Sequence, residues 1–275
     1  MIKSPIEQAL RTAHSEDRCA FIPFLTGGFP DEVTCGDILV ALAENGADVI
    51  EVGLPFSDPM ADGPTIQQSS CKALENGTTP ESVFRIIEKT KVTTDCPLVI
   101  MTYYNPVLRM GLAEFAKRAK AAGTEGVIVP DLPPEEADEW LDAATGAGLD
   151  TIFLVAPTTP LERMAWIASL SRGFLYYVSV TGVTGAAFSV SDELVSGIAA
   201  ARAVSKTPVA VGFGISKPAE AHALAQVADG VIVGSAFIRE IQSQTSPSAQ
   251  VQAVGTLAAS LRAAMSRGNG AEASK

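Results

Sequence analysis

The sequence predicts a parallel β/α barrel, in which eight strands close into a cylinder and helices surround them. Eight short runs rich in Val, Ile, Leu and Phe recur along the 275 residues. The runs are nearly continuous rather than alternating, which is typical of strands buried on both faces. Stretches with helical periodicity lie between them, and this alternation of strand and helix favours a closed parallel barrel.

The predicted strands are Ala20–Thr26, Asp48–Gly53, Pro97–Tyr103, Gly126–Pro130, Asp150–Val155, Phe174–Val180, Pro208–Phe213 and Asp229–Gly234. Amphipathic helices are predicted at Val33–Asn45, Leu112–Ala122, Glu135–Ala147 and Ser191–Val204. Pro80 and Pro218 stand where a helix would begin, and Gly46, Gly123 and Gly148 stand where one would end. A short N-terminal helix at Pro5–His14 could close the bottom of the barrel.

The alternative fold is an open, doubly wound sheet. Such a sheet usually has five or six strands and an asymmetry in the chain that the regular pattern does not indicate. We therefore expect residues 1–275 to form a single barrel domain, with a frayed tail from about residue 267 to 275.

Composition excludes several classes of function. The net charge of −11 disfavours binding to nucleic acid or to an anionic membrane, although backbone amides could still bind a phosphorylated small molecule. Two histidines and four widely spaced cysteines disfavour a metal site, a Ser–His–Asp triad and a disulfide framework. The sequence has neither an apolar run of roughly 18 residues nor an apolar signal segment, so we expect a cytoplasmic protein.

The first candidate catalytic residue is Glu51, which lies inside the apolar run Asp48–Gly53. A carboxylate in a buried strand is costly unless it is paired, hydrogen-bonded or protonated. Neighbouring backbone groups could satisfy it, which would make its role structural. Its place near the C-terminal end of a barrel strand, where active sites form, favours catalysis instead.

Two further acids follow on the next loop. Asp58 and Asp62 stand in proline-rich turn sequence, so either could simply form an Asx turn or cap a helix. A buried acid beside loop acids is also the arrangement in which two carboxyl groups acquire different pKa values and divide acid and base work.

Glycine-rich turns follow the last three strands. They include Gly182–Gly185, Gly212–Ser216 and Gly234–Ser235. Barrels often bind phosphate at the loops after strands seven and eight, although each turn could be only a turn. The lysine nearest to a strand end is Lys217, at the start of a predicted helix, so an imine-forming aldolase is disfavoured.

Several motifs in order identify a family. Residues 50–67 read IEVGLPFSDPMADGPTIQ, and both acids and the loop prolines match together. The other motifs are FIPFLT at 21–26, MTYYNP at 101–106, PDLP at 130–133, YYVSVTGVTG at 176–185 and GFGIS at 212–216. Over essentially its whole length, the sequence resembles the tryptophan synthase α subunit family.

The resemblance implies a lyase of tryptophan biosynthesis that cleaves indole-3-glycerol phosphate to indole and glyceraldehyde 3-phosphate. It implies an α2β2 complex in which indole passes to the β subunit. It also implies no cofactor in this chain, with pyridoxal phosphate only in the β subunit.

The resemblance also implies roles for individual residues. Glu51 would be the general acid and base, Asp62 would face the indole N–H, and Tyr176 would be an active-site tyrosine near Glu51. Asp58 would face the β subunit, and Thr184 would lie on a lid over Asp62. Residues expected to line the indole pocket or cradle the phosphate are Phe24, Met101, Tyr103, Val129, Phe213, Gly185, Gly214, Gly234 and Ser235.

Two other functions remain open at this point. One is a different phosphosugar enzyme on the same scaffold, such as an isomerase that uses a thiol–carboxylate pair, although Cys19 lies at the wrong end of its strand. The other is a non-catalytic subunit that binds a phosphate ligand and regulates a partner, which the intact Glu51 and Asp62 pair disfavours.

Overall fold

A computed structural model describes residues 4–179, 190–212 and 214–267. Its parallel strands are β1 (Ala20–Thr26), β2 (Ile50–Gly53), β3 (Leu98–Met101), β4 (Thr124–Ile128), β5 (Asp150–Ile152), β6 (Leu154–Val155), β7 (Leu175–Val178), β8 (Val209–Gly212) and β9 (Gly230–Val233). They form one sheet in the order β5-β4-β3-β2-β1-β9-β8-β7-β6.

Helices precede, separate and follow the strands along the chain. They are α1 (Pro5–Ser15), α2 (Glu32–Glu44), α3 (Pro64–Glu75), α4 (Pro80–Thr93), α5 (Tyr104–Met110), α6 (Leu112–Ala121), α7 (Asp138–Ala147), α8 (Leu161–Leu170), α9 (Asp192–Val204), α10 (Pro218–Ala225), α11 (Ser235–Ser243) and α12 (Pro247–Ala264), with a 3₁₀ turn at Pro134–Glu136.

The sheet closes at Phe153. β5 pairs with β4 and β6 pairs with β7, yet only Phe153 separates β5 from β6 along the chain. The Phe153 amide donates to the Ser171 hydroxyl, and its carbonyl accepts from the amide of Tyr176. The two ends of the strand order therefore meet in one extended segment. The nine strands correspond to the eight predicted ones, and the predicted barrel is confirmed over the open sheet.

Alternate residues of each strand face opposite sides of the barrel wall, as the two-residue period of a strand requires. In β1, Ala20 and Ile22 belong to the interior cluster. Phe21 and Leu25 belong instead to the larger cluster between the sheet and the helices, called the outer cluster below. The alternation decides which side chains can reach the centre of the barrel.

The N-terminal helix closes the bottom of the barrel, as predicted. Ile6, Leu10 and Ala13 of α1 are fully buried and pack into the interior cluster with side chains from the strands. At the start of the helix, the Ser4 hydroxyl donates to Asp150 and also caps the amide of Glu7. The interior is thus sealed at the bottom by α1.

Several element boundaries differ from the prediction. β3 and β4 end before the predicted limits because Tyr103 caps α5 and because Pro130 has no amide proton for the sheet. The helix predicted from Glu135 is a 3₁₀ turn followed by α7. Arg267 donates to the carbonyls of Asp17 and Ala225, and residues 268–275 lie outside the described ranges.

None of the helices in the described part of the chain is long and apolar enough to cross a membrane.

The bottom seal can be tested by truncating Leu10. We expect Leu10→Ala to lower the free energy of unfolding by about 2–5 kcal/mol, because it removes buried methyl groups and leaves a cavity. The matched control is Leu161→Ala, since Leu161 is 56% exposed on α8. Urea unfolding curves measure both changes. Equal losses of stability in the two variants would contradict the claim that burial of Leu10 in the interior cluster stabilises the barrel.

Candidate active site

Glu51 faces the barrel interior from the middle of β2. Its neighbours Ile50 and Val52 belong to the outer cluster, so the strand's alternation directs Glu51 inward. In register it lies beside Phe24 of β1 and Val99 of β3.

The Glu51 carboxyl is 1% exposed, and its Oε2 atom has no hydrogen-bond partner among the described residues. Neighbouring groups therefore do not satisfy it fully, unlike a purely structural buried acid. Burial, with a smaller contribution from the charge of Asp62, raises the pKa of Glu51 to about 8. The carboxyl is accordingly protonated at neutral pH and can donate a proton.

Asp62 lies on the loop of residues 54–63, between β2 and α3. It does not cap α3, because the N-cap is Gly63 and no side chain bonds there. Burial raises the pKa of Asp62 to about 6, and the Tyr103 hydroxyl opposes that rise. Asp62 is therefore ionised at pH 7 while Glu51 keeps its proton.

Tyr176 projects into the same interior from β7. A Cβ atom at Gly212 would lie 2.5 Å from the Tyr176 hydroxyl, so the glycine leaves the room that the phenol occupies. Burial and then the charges of Glu51 and Asp62 raise the pKa of Tyr176. The structure therefore brings together all three residues predicted to be catalytic.

Phe24 and Met101 also lie on the interior side. The Phe24 ring packs on the backbone of β2 and on the end of β9: a Cβ atom at Gly53 would lie 2.6 Å from its Cζ, and one at Gly234 would lie 3.2 Å from its Cδ1. Met101 packs against the interior cluster. Val129 belongs instead to the outer cluster, so its predicted contact with indole stays a prediction.

The predicted phosphate cradle is only partly described. Gly234 is the N-cap of α11 and Ser235 its first residue, with no side chain capping the helix start, while Gly214 is exposed after β8. Amides at such a helix start can bind a phosphate. Thr184, Gly185 and Phe213 lie outside the described residues.

Asp58 lies at the surface of the 54–63 loop, where it accepts a hydrogen bond from the Ser57 hydroxyl. Two residues on, Met60 is 88% exposed. The Asp58 and Met60 side chains therefore both lie on the exposed surface of this loop.

Cys19 does not fit a thiol–carboxylate pair. It is fully buried at the bottom of the barrel, where its Sγ donates to the Ala228 carbonyl, and burial raises the pKa of its thiol to about 12. The thiol is inert there, so the isomerase alternative has no support from it.

Sequence reasoning missed two contacts that hold the 54–63 loop, one of them made by Tyr103, which was expected only in the indole pocket. The Tyr103 hydroxyl accepts a hydrogen bond from the Ala61 amide, and the Gln67 side-chain amide donates to the Asp62 carbonyl. Both residues stand in the motifs quoted above, but no spacing rule indicates that they contact this loop.

Comparisons with known proteins show the family of the chain. The family model of the tryptophan synthase alpha chain matches residues 10–266. The chain belongs to the tryptophan synthase alpha chain family. The alpha chain of Picosynechococcus is 45% identical over 261 residues, which cover 94% of this chain and 98% of the relative. That of Gloeobacter violaceus is 48% identical over 235 residues, 85% of each chain.

Solved structures of the tryptophan synthase family have the same fold. One chain of tryptophan synthase from Mycobacterium tuberculosis superposes with a TM-score of 0.88 at 39% identity. The match covers 96% of this chain and 99% of that one. The predicted family resemblance is therefore confirmed along nearly the whole sequence.

The buried carboxyl of Glu51 makes the stability of this family member depend on pH. Its pKa is about 8 in the folded protein against an ordinary 4.5, so the folded state holds a proton that the unfolded state releases. The resulting stabilisation is complete below about pH 4.5 and is lost as the pH rises through 8, by an amount on the order of several kcal/mol. Asp62 acts in the same direction between about pH 3.8 and 6.

We expect Glu51→Gln to stabilise the protein progressively more, relative to wild type, as the pH rises from 5 to 8. The control is Glu44→Gln, at an exposed position on α2. Urea unfolding at several pH values measures the difference. A Glu51→Gln effect with no pH dependence would show that the wild-type carboxyl titrates normally.

Proposed function

We propose that Glu51 and Asp62 carry out the family's reaction in this chain, with Tyr176 beside them. The reaction is the retro-aldol cleavage of indole-3-glycerol phosphate to indole and glyceraldehyde 3-phosphate, a lyase step of tryptophan biosynthesis. The observation that carries the assignment is the buried, incompletely bonded Glu51 carboxyl with the carboxylate of Asp62 close enough to raise its pKa.

Glu51 handles both protons of the cleavage. Its neutral carboxyl protonates carbon 3 of the indole ring, which leaves positive charge on the ring nitrogen. The resulting carboxylate then accepts the proton of the side-chain hydroxyl while the carbon–carbon bond breaks and its electron pair returns to the ring. A protonated acid at pH 7 is what the first step requires.

Asp62 stabilises the charged intermediate. Its carboxylate faces the indole N–H, whose positive charge grows when carbon 3 is protonated. Fixed charge in a site shielded from water acts strongly on such a transition state. Because Asp62 is less completely buried than Glu51, it keeps its charge at the pH where Glu51 is neutral.

The phosphate and indole contacts complete the proposal. The substrate phosphate binds at Gly214, Gly234 and Ser235, together with Gly185, and Thr184 covers Asp62 from above. The indole ring lies among Phe24, Met101, Tyr103, Val129 and Phe213. We also propose that the whole chain acts as one domain and binds no cofactor, which family membership is consistent with.

The family acts in a complex with the tryptophan synthase β subunit. We propose an α2β2 assembly in which Asp58 faces the β subunit, where the exposed Met60 lies on the same loop. Indole then passes directly to the β subunit, which carries the pyridoxal phosphate.

Removing either carboxylate should abolish indole release. We expect Glu51→Gln and Asp62→Asn each to lower the rate by roughly 10²–10⁴-fold, while binding of inorganic phosphate or a phosphate analogue is largely retained. Glu44→Gln and Asp37→Asn, at exposed positions of α2, are matched controls. Indole is measured colorimetrically, and near-wild-type turnover by either active-site variant would refute the assignment. If the wild-type chain binds the phosphate ligand but releases no indole, the result would instead support a non-catalytic subunit.

The pH profile gives a second test. The value of kcat/KM should fall below about pH 6, where Asp62 takes up a proton, and above about pH 8, where Glu51 loses its own. In Asp62→Asn the residual activity should lose its acid limb, which separates Asp62 from titration of the substrate phosphate. Its alkaline limb should also move to lower pH, because the charge that raises the pKa of Glu51 is gone.

A further inference from the structure

Two contacts near the end of the 54–63 loop hold the backbone on either side of the Asp62 side chain. The Ala61 amide donates to the Tyr103 hydroxyl at 2.9 Å, and the Gln67 Nε2 donates to the Asp62 carbonyl at 2.9 Å. The start of the loop is also anchored, to β3, because the Leu54 amide donates to the Met101 carbonyl at 2.8 Å. Anchors on β3 and on α3 therefore fix the loop at its start and at its end.

We propose that Tyr103 is a positioning residue for the cleavage, whose hydroxyl holds the 54–63 loop through Ala61 and thereby sets where the Asp62 carboxylate meets the substrate. Gln67 supports the same turn from the side of α3. This inference rests on the proposed role of Asp62.

The phenol of Tyr103 is buried between the start of α5 and the 54–63 loop. Tyr103 is 4% exposed, and its backbone forms the N-cap of α5. Its ring stacks on Phe56, with ring centroids 5.3 Å apart and an angle of 28° between the planes. Phe56 belongs to the 54–63 loop, so the Tyr103 side chain contacts that loop at two points, through its ring at Phe56 and through its hydroxyl at Ala61. The Tyr103 backbone is set by the start of α5, outside the loop, so the side chain ties the loop to that helix.

The same hydroxyl acts on the Asp62 carboxylate. A tyrosine hydroxyl can accept one hydrogen bond and donate another, so it can hold the Ala61 amide and stabilise a carboxylate at once. It lowers the pKa of Asp62 against the effect of burial. The charge of Asp131 also raises the pKa of Tyr103. The charge of Asp62 in turn raises the pKa values of Glu51 and Tyr176.

Gln67 differs from Tyr103 in one informative way. Among the described residues its side-chain amide bonds only to backbone carbonyls, at 2.9 Å from Asp62 and 3.4 Å from Pro59. It therefore positions the loop without stabilising the carboxylate. Loss of Gln67 should slow the reaction, whereas loss of the Tyr103 hydroxyl should slow it and also change its pH dependence.

The test compares variants of the full chain, with and without the β subunit, by indole release across the pH range. We expect Tyr103→Phe to lower kcat/KM by about 10- to 100-fold, because the Ala61 amide loses its partner and the loop that carries Asp62 loses this anchor. Its acid limb should move to higher pH, because Asp62 loses a group that lowers its pKa. Tyr177→Phe is the matched control, since its buried hydroxyl has no partner among the described residues.

Gln67→Ala should lower kcat/KM several-fold with the acid limb unmoved, as expected for a neutral hydrogen bond. Gln68→Ala, at the next and exposed position of α3, is its control. The double variant Asp62→Asn/Tyr103→Phe should be no slower than Asp62→Asn alone, because Tyr103 acts through Asp62.

Wild-type kcat/KM in a folded Tyr103→Phe would overturn the proposal, and so would a loss of activity with an unmoved acid limb, which would assign Tyr103 to the pocket wall alone. In both cases a severe defect in Asp62→Asn would leave the proposed function intact. Near-wild-type activity of Asp62→Asn would instead refute the proposed function itself.

Discussion

The site depends on the burial of one carboxyl group in the barrel interior. Glu51 lies among apolar neighbours, is 1% exposed, and has one oxygen without a partner in the described part of the chain. A charged carboxylate is costly there, so the neutral form is favoured and the pKa of Glu51 rises to about 8. Burial of this carboxyl lowers the stability of the folded protein at neutral pH. The two hydrophobic clusters on either side of the strand wall offset that loss.

The second carboxyl is useful because its surroundings differ. Asp62 is on a loop rather than in a strand, is partly exposed, and interacts with the Tyr103 hydroxyl. One acid therefore keeps its proton and the other its charge, although both belong to a stretch of only twelve residues. Two like acids divide the work because the fold places one in the wall of the barrel and the other above it.

Much of this could be read from the sequence. The continuous apolar runs indicated strands buried on both faces, and the misplaced acid at Glu51 marked the site because burying a charge is costly whatever the fold. The division of the fifth strand at Phe153 was not readable, since strand pairing partners on either side decide it. The outward position of Val129 follows from the alternation along β4, because Val127 also faces outward and Ile128 faces the interior. The prediction of a single domain stays a prediction.

Tyr103 shows why the remaining part escaped prediction. The family resemblance implied a residue of the indole pocket, and its ring stacks on Phe56 in the structure. Its bond to Ala61 joins positions 42 residues apart, and the barrel alone brings them together. Residues that do chemistry leave a local signal, because a buried charge violates a local rule. Residues that position them violate none, so only their contacts in the folded chain reveal them.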